Sequence, residues 1–129
     1  MKRLGPFGPG TSTHARGAAG EEAAEHYLSE QGYRIVARNV RTHLGELDIV
    51  ALDGETLCFV EIKTRSSGDY GPAIAAVGPA KQRRLAGAAS LFLAKNRSRR
   101  ACRFDVLGID RDSGGAWRFT LIRDAFRIG

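Results

Sequence analysis

The spacing of apolar positions predicts helices at two places in the chain. From residue 15 to about residue 31, small and apolar side chains recur on one helical stripe, and Gly32 follows as a C-terminal glycine. A second helix is predicted from Gly78-Pro79 to about Asn96, because proline is tolerated in the first helical turn. Its apolar stripe comprises Leu85, Ala89, Phe92 and Leu93.

Runs of β-branched and aromatic residues predict five strands, at about residues 33–40, 46–52, 57–63, 102–109 and 117–122. The order is helix, three strands, helix, strand, strand. A three-stranded meander followed by a crossover helix predicts an α/β fold with a mixed central sheet flanked by helices. We expect residues 15–129 to form a single domain of this kind, and the glycine- and proline-rich residues 1–14 to form a flexible tail.

The hairpin of the second and third predicted strands brings acidic side chains together at its open end. If residues 53–56 make the connection, Asp48 lies opposite Glu61. If Asp53-Gly54 is instead a two-residue turn, Glu46 lies opposite Glu61. We prefer the first register, because it pairs apolar side chains with apolar ones near the turn and leaves the charged ones together.

Opposed residues in such a hairpin have Cβ atoms about 4.5–5.5 Å apart, so the carboxylates of Asp48 and Glu61 would repel each other. A proton, the ammonium of Lys63 or a bound cation such as Mg²⁺ would offset this repulsion. The alternative is a solvated polar face of an ordinary hairpin. Glu21 lies at the edge of the packed stripe of the first helix. It is either a third acid near the hairpin or a solvent-exposed side chain.

Composition adds to this picture only when the charges of the first and second parts of the chain are counted separately. The 129 residues are 43% hydrophobic and 26% charged, as in an ordinary globular domain, and the net charge is +6. Residues 1–80 carry 8 basic and 10 acidic side chains, whereas residues 81–129 carry 12 basic and 4 acidic ones. We therefore expect an acidic site beside a basic surface, and that surface suits a polyanion such as nucleic acid.

Several function classes are excluded at this stage. No run approaches about 18 consecutive apolar residues, so no membrane span is predicted. The basic start of the chain lacks the apolar run of a secretory signal, so we expect a cytoplasmic protein. Cys58 and Cys102 lie far apart in strand-like runs, which favours reduced cysteines over a zinc site or a disulfide.

Five short motifs occur in order along the chain. They are Gly20-Glu21-x-x-Ala24, Gly45-Glu46-Leu47-Asp48, Phe59-Val60-Glu61-Ile62-Lys63-Thr64-Arg65, Lys81-Gln82 and Arg103-Phe104-Asp105-Val106. Together they resemble the YraN-type family of bacterial proteins, over about residues 16–126. That family looks like part of the restriction-endonuclease-like superfamily, the PD-(D/E)XK nucleases, and is similar to archaeal Holliday-junction resolvases. The superfamily core is αβββαβ, which is the predicted order here with one extra C-terminal strand.

The resemblance implies a metal-dependent endonuclease that hydrolyses phosphodiester bonds in DNA, with branched or junction DNA as a candidate substrate and a homodimer as a candidate assembly. It assigns catalytic roles to Asp48, Glu61 and Lys63. The ligands that it implies for Mg²⁺ or Mn²⁺ are Glu21, Asp48, Glu61 and the carbonyl of Ile62. The residues expected to contact the nucleic-acid backbone are Arg65, Lys81, Gln82 and Arg84, with the basic run at residues 97–100. Two alternatives stay open: a non-catalytic nucleic-acid-binding module on the same fold, and a basic scaffold for an acidic partner.

Overall fold

The computed structural model describes residues 15–64 and 77–127. The elements formed by these two stretches are α1 (Ala15–Glu30), β1 (Tyr33–Thr42), β2 (Gly45–Asp53), β3 (Thr56–Thr64), α2 (Pro79–Asn96), β4 (Cys102–Arg111) and β5 (Trp117–Phe126). The predicted order of elements is confirmed. The tail predicted for residues 1–14 lies outside the described residues. Neither of the two helices is long and apolar enough to cross a membrane.

All five strands belong to one sheet, in the order β1-β2-β3-β4-β5. Strands β3 and β4 are parallel, and the other neighbours are antiparallel. Parallel neighbours need a long crossover, and here the crossover contains α2. The predicted mixed sheet flanked by helices is therefore confirmed. It is compatible with a restriction-endonuclease-like core, with β5 as the additional C-terminal strand.

Each face of the sheet carries its own apolar core, because successive side chains of a strand point to opposite faces. The core beneath α1 includes Ala24, Leu28, Ile49, Val60 and Leu107. The core beneath α2 includes Val50, Phe59, Leu85, Ala89 and Phe92. Full burial of a large apolar side chain contributes about 1.5–3 kcal/mol, so the two layers together hold both helices against the sheet.

The β2–β3 hairpin has the register preferred from the sequence. Leu52 lies opposite Leu57, and the two strands are joined by the turn Gly54-Glu55. The alternative two-residue turn at Asp53-Gly54 is wrong. Gly54 has a φ of +64°, which glycine adopts without strain. From this turn the ladder runs to the Ile49–Val60 pair and ends there.

Gly45, at the start of β2, lies directly against the backbone of α2. A Cβ atom at this position would be 2.8 Å from the carbonyl oxygen of Arg84. On the same side, a Cβ atom at Gly87 would be 3.1 Å from the side chain of Leu44. The absence of these side chains lets the β1–β2 turn pack closely on α2. This packing sets the position of the first residues of β2, which lead to Asp48.

Candidate metal and active site

Asp48 and Glu61 meet where β2 and β3 cease to pair. The ladder ends at Ile49 and Val60, and the next residue of each strand is one of these two acids. Asp48 Oδ2 accepts a hydrogen bond of 2.8 Å from the backbone N–H of Ile62. The carboxyl of Glu61 is close enough to act electrostatically on that of Asp48. We call Asp48 and Glu61 the acid pair.

The acid pair is electrostatically unfavourable when both of its members are ionised. Withdrawal from water, followed by repulsion from Glu61, raises the pKa of Asp48 to about 8. The backbone N–H of Ile62 and the ammonium of Lys81 act in the opposite direction on this pKa. The side chain of Glu61 is only 9% exposed, so water screens the repulsion weakly. The site therefore favours a shared proton or a bound cation.

Lys81, in the first turn of α2, is bound to the acid pair. Its Nζ lies 3.0 Å from Glu61 Oε2. The resemblance places Lys81 against the nucleic-acid backbone, and sequence analysis expects Lys63 as the cation beside the acids. Lys63 follows Glu61 by two residues, on the same face of β3, and is partly exposed. Sequence reasoning missed the contact between Lys81 and Glu61, since no periodicity shows which residue of α2 faces β3.

The other residues expected to contact phosphates have different surroundings. Gln82 donates a hydrogen bond of 2.9 Å from Nε2 to the carbonyl of Val77, so its side chain ties down the start of α2. Arg84 is exposed on α2. Arg65 lies outside the described residues. Of the two side chains that the structure describes, Arg84 is therefore the one presented to solvent.

A cleft of about 140 Å³ opens beside Asp48, between α1 and the sheet. Glu21 lines this cleft together with Asp48 and Ile62, although Glu21 itself is exposed. Glu25 lines it as well and forms an ion pair with Arg38. The structure thus places the helix acid Glu21 on the same cleft as Asp48, whereas Glu61 is held from the opposite side by α2.

The acid pair fits a hard divalent cation with an open coordination shell. Mg²⁺ takes one or two carboxylates and keeps several of its waters. Asp48 and Glu61 supply two carboxylates, and the main chain of Ile62 lies beside them. Within residues 15–64 and 77–127, no group of three or more His, Cys, Asp or Glu side chains could hold a metal ion. The fit is therefore to a largely hydrated ion on two carboxylates.

Asp105, from the fourth-strand motif, has a different role. It is fully buried. It accepts hydrogen bonds from the Tyr33 hydroxyl at 2.6 Å, from Arg103 Nε at 2.8 Å and from the backbone N–H of Asp124 at 2.9 Å. Arg103 also reaches Asp53 at 2.8 Å, near the β2–β3 turn. We call this set the Asp105 network. Its satisfied hydrogen bonds indicate a structural role.

Comparison with known proteins gives a family match over most of the described chain. The profile of the uncharacterised protein family UPF0102 matches residues 20–109. A UPF0102 protein of Symbiobacterium thermophilum is 51% identical over 111 residues, which are 85% of this chain and 94% of that protein. One of Geobacter metallireducens is 52% identical over 94 residues, 72% and 77% of the two chains. One of Nitrosococcus oceani is 41% identical over 120 residues, 91% and 96% of the two chains.

The fold and these matches together define a protein of the restriction-endonuclease-like superfamily. The chain belongs to the UPF0102 family, which is the YraN family named by the motif resemblance.

Proposed function

We propose that this protein is a metal-dependent endonuclease that hydrolyses phosphodiester bonds in DNA. The observation that carries the proposal is the acid pair. Asp48 and Glu61 directly follow the last pair of a ladder, and the charge of Glu61 disfavours the ionised form of Asp48 unless a cation lies between them. A strongly perturbed acid of this kind beside a cleft is typical of a functional site. A hairpin with only a solvated polar face would not need two neighbouring acids withdrawn from water.

In this proposal Asp48 and Glu61 hold Mg²⁺ or Mn²⁺, with the carbonyl of Ile62 as a further ligand and Glu21 holding a water from the cleft side. When bound, the ion polarises a phosphate oxygen and lowers the pKa of a water molecule. Lys63 orients that water and stabilises the negative charge that develops on the phosphate. In this role Lys63 serves as a positive charge and not as a proton acceptor.

The substrate side of the proposal depends on the basic second part of the chain. Residues 81–129 carry 12 basic and 4 acidic side chains, and Arg84 stands exposed on the helix that also carries Lys81. Contacts of this kind bind the phosphate backbone without reading base sequence. Branched DNA is the candidate substrate. A homodimer is the candidate assembly, because a junction offers paired strands to cut. The cytoplasm is the proposed compartment.

Incubation of supercoiled plasmid and of a labelled four-way junction with Mg²⁺ or Mn²⁺ tests this function. We expect cleavage that requires the metal and falls about 100-fold or more in Asp48→Asn and in Glu61→Gln. Glu55→Gln is the matched control, because the side chain of Glu55 is 97% exposed in the turn of the same hairpin. Equal cleavage by the wild type and by both acid-pair variants would reveal a contaminating nuclease and overturn the proposal.

One observation favours the non-catalytic nucleic-acid-binding alternative. Lys81 already neutralises Glu61, at 3.0 Å, in the free protein. A module that only binds DNA would keep this ion pair as a structural contact. It would bind DNA with a steep salt dependence and would cut with neither metal. A protein that fails to bind DNA even at low salt would instead fit the scaffold alternative.

A further inference from the structure

We propose that Lys81 is a positioning residue that holds the place of the metal ion on Glu61 and moves aside when a divalent cation binds. The inference rests on the proposed function, since it concerns the metal that the acid pair would take. It assigns to Lys81 a second role beyond contact with the nucleic-acid backbone. In the free protein Lys81 would act as an internal counterion, and in the loaded site it would act as a cation for the substrate.

The ion pair is asymmetric in a way that suits exchange. Glu61 is 9% exposed and is fixed in the sheet, whereas the side chain of Lys81 is 40% exposed. A lysine ammonium sits on a flexible four-carbon stem and is well hydrated when it leaves a partner. Lys81 can therefore exchange Glu61 for water at small cost. Glu61 has no comparable route to solvent, so it needs a replacement cation.

The position of Lys81 in α2 supports the same conclusion. It is the third residue of the helix, and the first turn contains no acidic residue. A cation near a helix N-terminus is opposed by the helix dipole, by about 0.3–1 kcal/mol at exposed sites. The local helix therefore does not favour Lys81 at this position, and the contact with Glu61 compensates.

Formal charges predict that Lys81 acts in opposite directions on metal and on DNA. With both members of the acid pair ionised, the pair and Lys81 together carry one net negative charge. Addition of a divalent cation turns this into one net positive charge, which suits an anionic phosphodiester. Lys81 should thus weaken metal binding to the free protein and strengthen substrate binding to the loaded protein. A merely structural lysine would not produce this reversal.

Mn²⁺ binding to the full chain, measured by electron paramagnetic resonance of the free ion, tests the first half. We expect Lys81→Met to bind Mn²⁺ about three- to fivefold more tightly than the wild type, the range for a partly exposed ion pair. The variant should unfold at lower temperature without metal, and Mn²⁺ should raise its unfolding temperature by more. Lys81→Arg should restore wild-type behaviour. Lys95→Met, at an exposed lysine in the last turn of α2, is the control and should leave Mn²⁺ affinity unchanged.

Four-way-junction binding tests the second half, with Ca²⁺ added at saturating concentration as the bound metal. We expect Lys81→Met to bind the junction about three- to fivefold more weakly under these conditions. Unchanged Mn²⁺ affinity in Lys81→Met, with binding itself intact, would overturn the role of Lys81 and leave the metal-dependent function standing. No Mn²⁺ binding by either the wild type or Lys81→Met would overturn both.

Discussion

Asp105 and Asp48 are two acids withdrawn from water in one sheet, and their surroundings are opposite. The carboxylate of Asp105 is fully buried and accepts hydrogen bonds from the Tyr33 hydroxyl, the Arg103 guanidinium and the backbone N–H of Asp124. Because these donors satisfy the oxygens of the carboxylate, the hydrogen bonds that Asp105 loses to water on burial are replaced inside the protein.

The carboxyl of Asp48 has a poorer environment. Within residues 15–64 and 77–127 it accepts a hydrogen bond from the backbone N–H of Ile62, and its carboxyl neighbour Glu61 raises its pKa. The cation of this site, Lys81, reaches Glu61 rather than Asp48. The fold therefore stabilises one acid with an arginine and a tyrosine, and sets the other against a like charge. Both acids belong to motifs of the same family, and only their environments tell them apart.

The largest effect is expected from a break in the Asp105 network. Asp105→Ala leaves Arg103, 19% exposed, without its main partner. We expect a loss of about 3–5 kcal/mol in the free energy of unfolding, measured by urea denaturation, because the Tyr33 hydroxyl, Arg103 Nε and the backbone N–H of Asp124 all lose their acceptor. Glu46→Ala removes a surface ion pair of similar length, 3.0 Å to Arg41, and should cost less than about 1 kcal/mol. Equal losses in both variants would refute the structural role of Asp105.

Much of the fold could be predicted from local patterns. The helix from Pro79 to Asn96 and the strand starts at Tyr33, Cys102 and Trp117 follow from proline, β-branched and aromatic residues. The hairpin register follows from apolar pairing, because the alternative, shifted by two residues, would set Asp48 against Phe59. Strand ends were less well predicted, and β5 runs to Phe126, four residues beyond the expected end. Polar and apolar residues do not alternate regularly enough along β5 to mark the end of the strand.

The site could be predicted only in part. The spacing of Asp48 and Glu61 from the turn predicts that they meet across the hairpin, and in the structure they directly follow the last pair of the ladder, Ile49–Val60. The contact of Lys81 with Glu61 instead depends on how α2 is seated on the sheet. Packing of Gly45 against the α2 backbone contributes to that seating, and such tertiary contacts leave no periodic signal in a sequence.

Asp48→Asn should increase the free energy of unfolding, whereas most substitutions at a half-buried side chain decrease it. The folded-state pKa of Asp48 lies above its ordinary value near 4, so folding favours the protonated carboxyl. The wild type is therefore most stable with respect to this group below about pH 4, and it loses that stability as the pH rises toward 8. Asparagine cannot ionise, and its amide oxygen can still accept the N–H of Ile62. We expect the variant to be more stable than the wild type by about 2 kcal/mol at pH 8, and by nearly nothing at pH 4.

Denaturant unfolding of Asp48→Asn at a series of pH values checks this difference, with Glu55→Gln as the control. The control should follow the wild type at every pH, because the side chain of Glu55 is 97% exposed. Added Mn²⁺ at pH 8 should stabilise the wild type and not Asp48→Asn, by mass action on a site that needs both carboxylates. A variant that is less stable than the wild type at pH 8 without metal would show that Asp48 is a structural acid like Asp105.

The smallest effect is expected from Tyr33→Phe. Its pH dependence distinguishes the Asp105 network from the acid pair. The variant loses one hydrogen bond to Asp105, of 2.6 Å, and should lose about 1 kcal/mol in the free energy of unfolding. Burial and Asp105 raise the pKa of Tyr33 above its ordinary value, so its hydroxyl stays protonated and the loss should be constant from pH 6 to 9. Tyr27→Phe, at a tyrosine that stacks on Phe119, is the control and should change stability little. A loss in Tyr33→Phe that varies with pH as in Asp48→Asn would mean that the Asp105 network titrates together with the acid pair, and the distinction between a structural and a functional acid would fail.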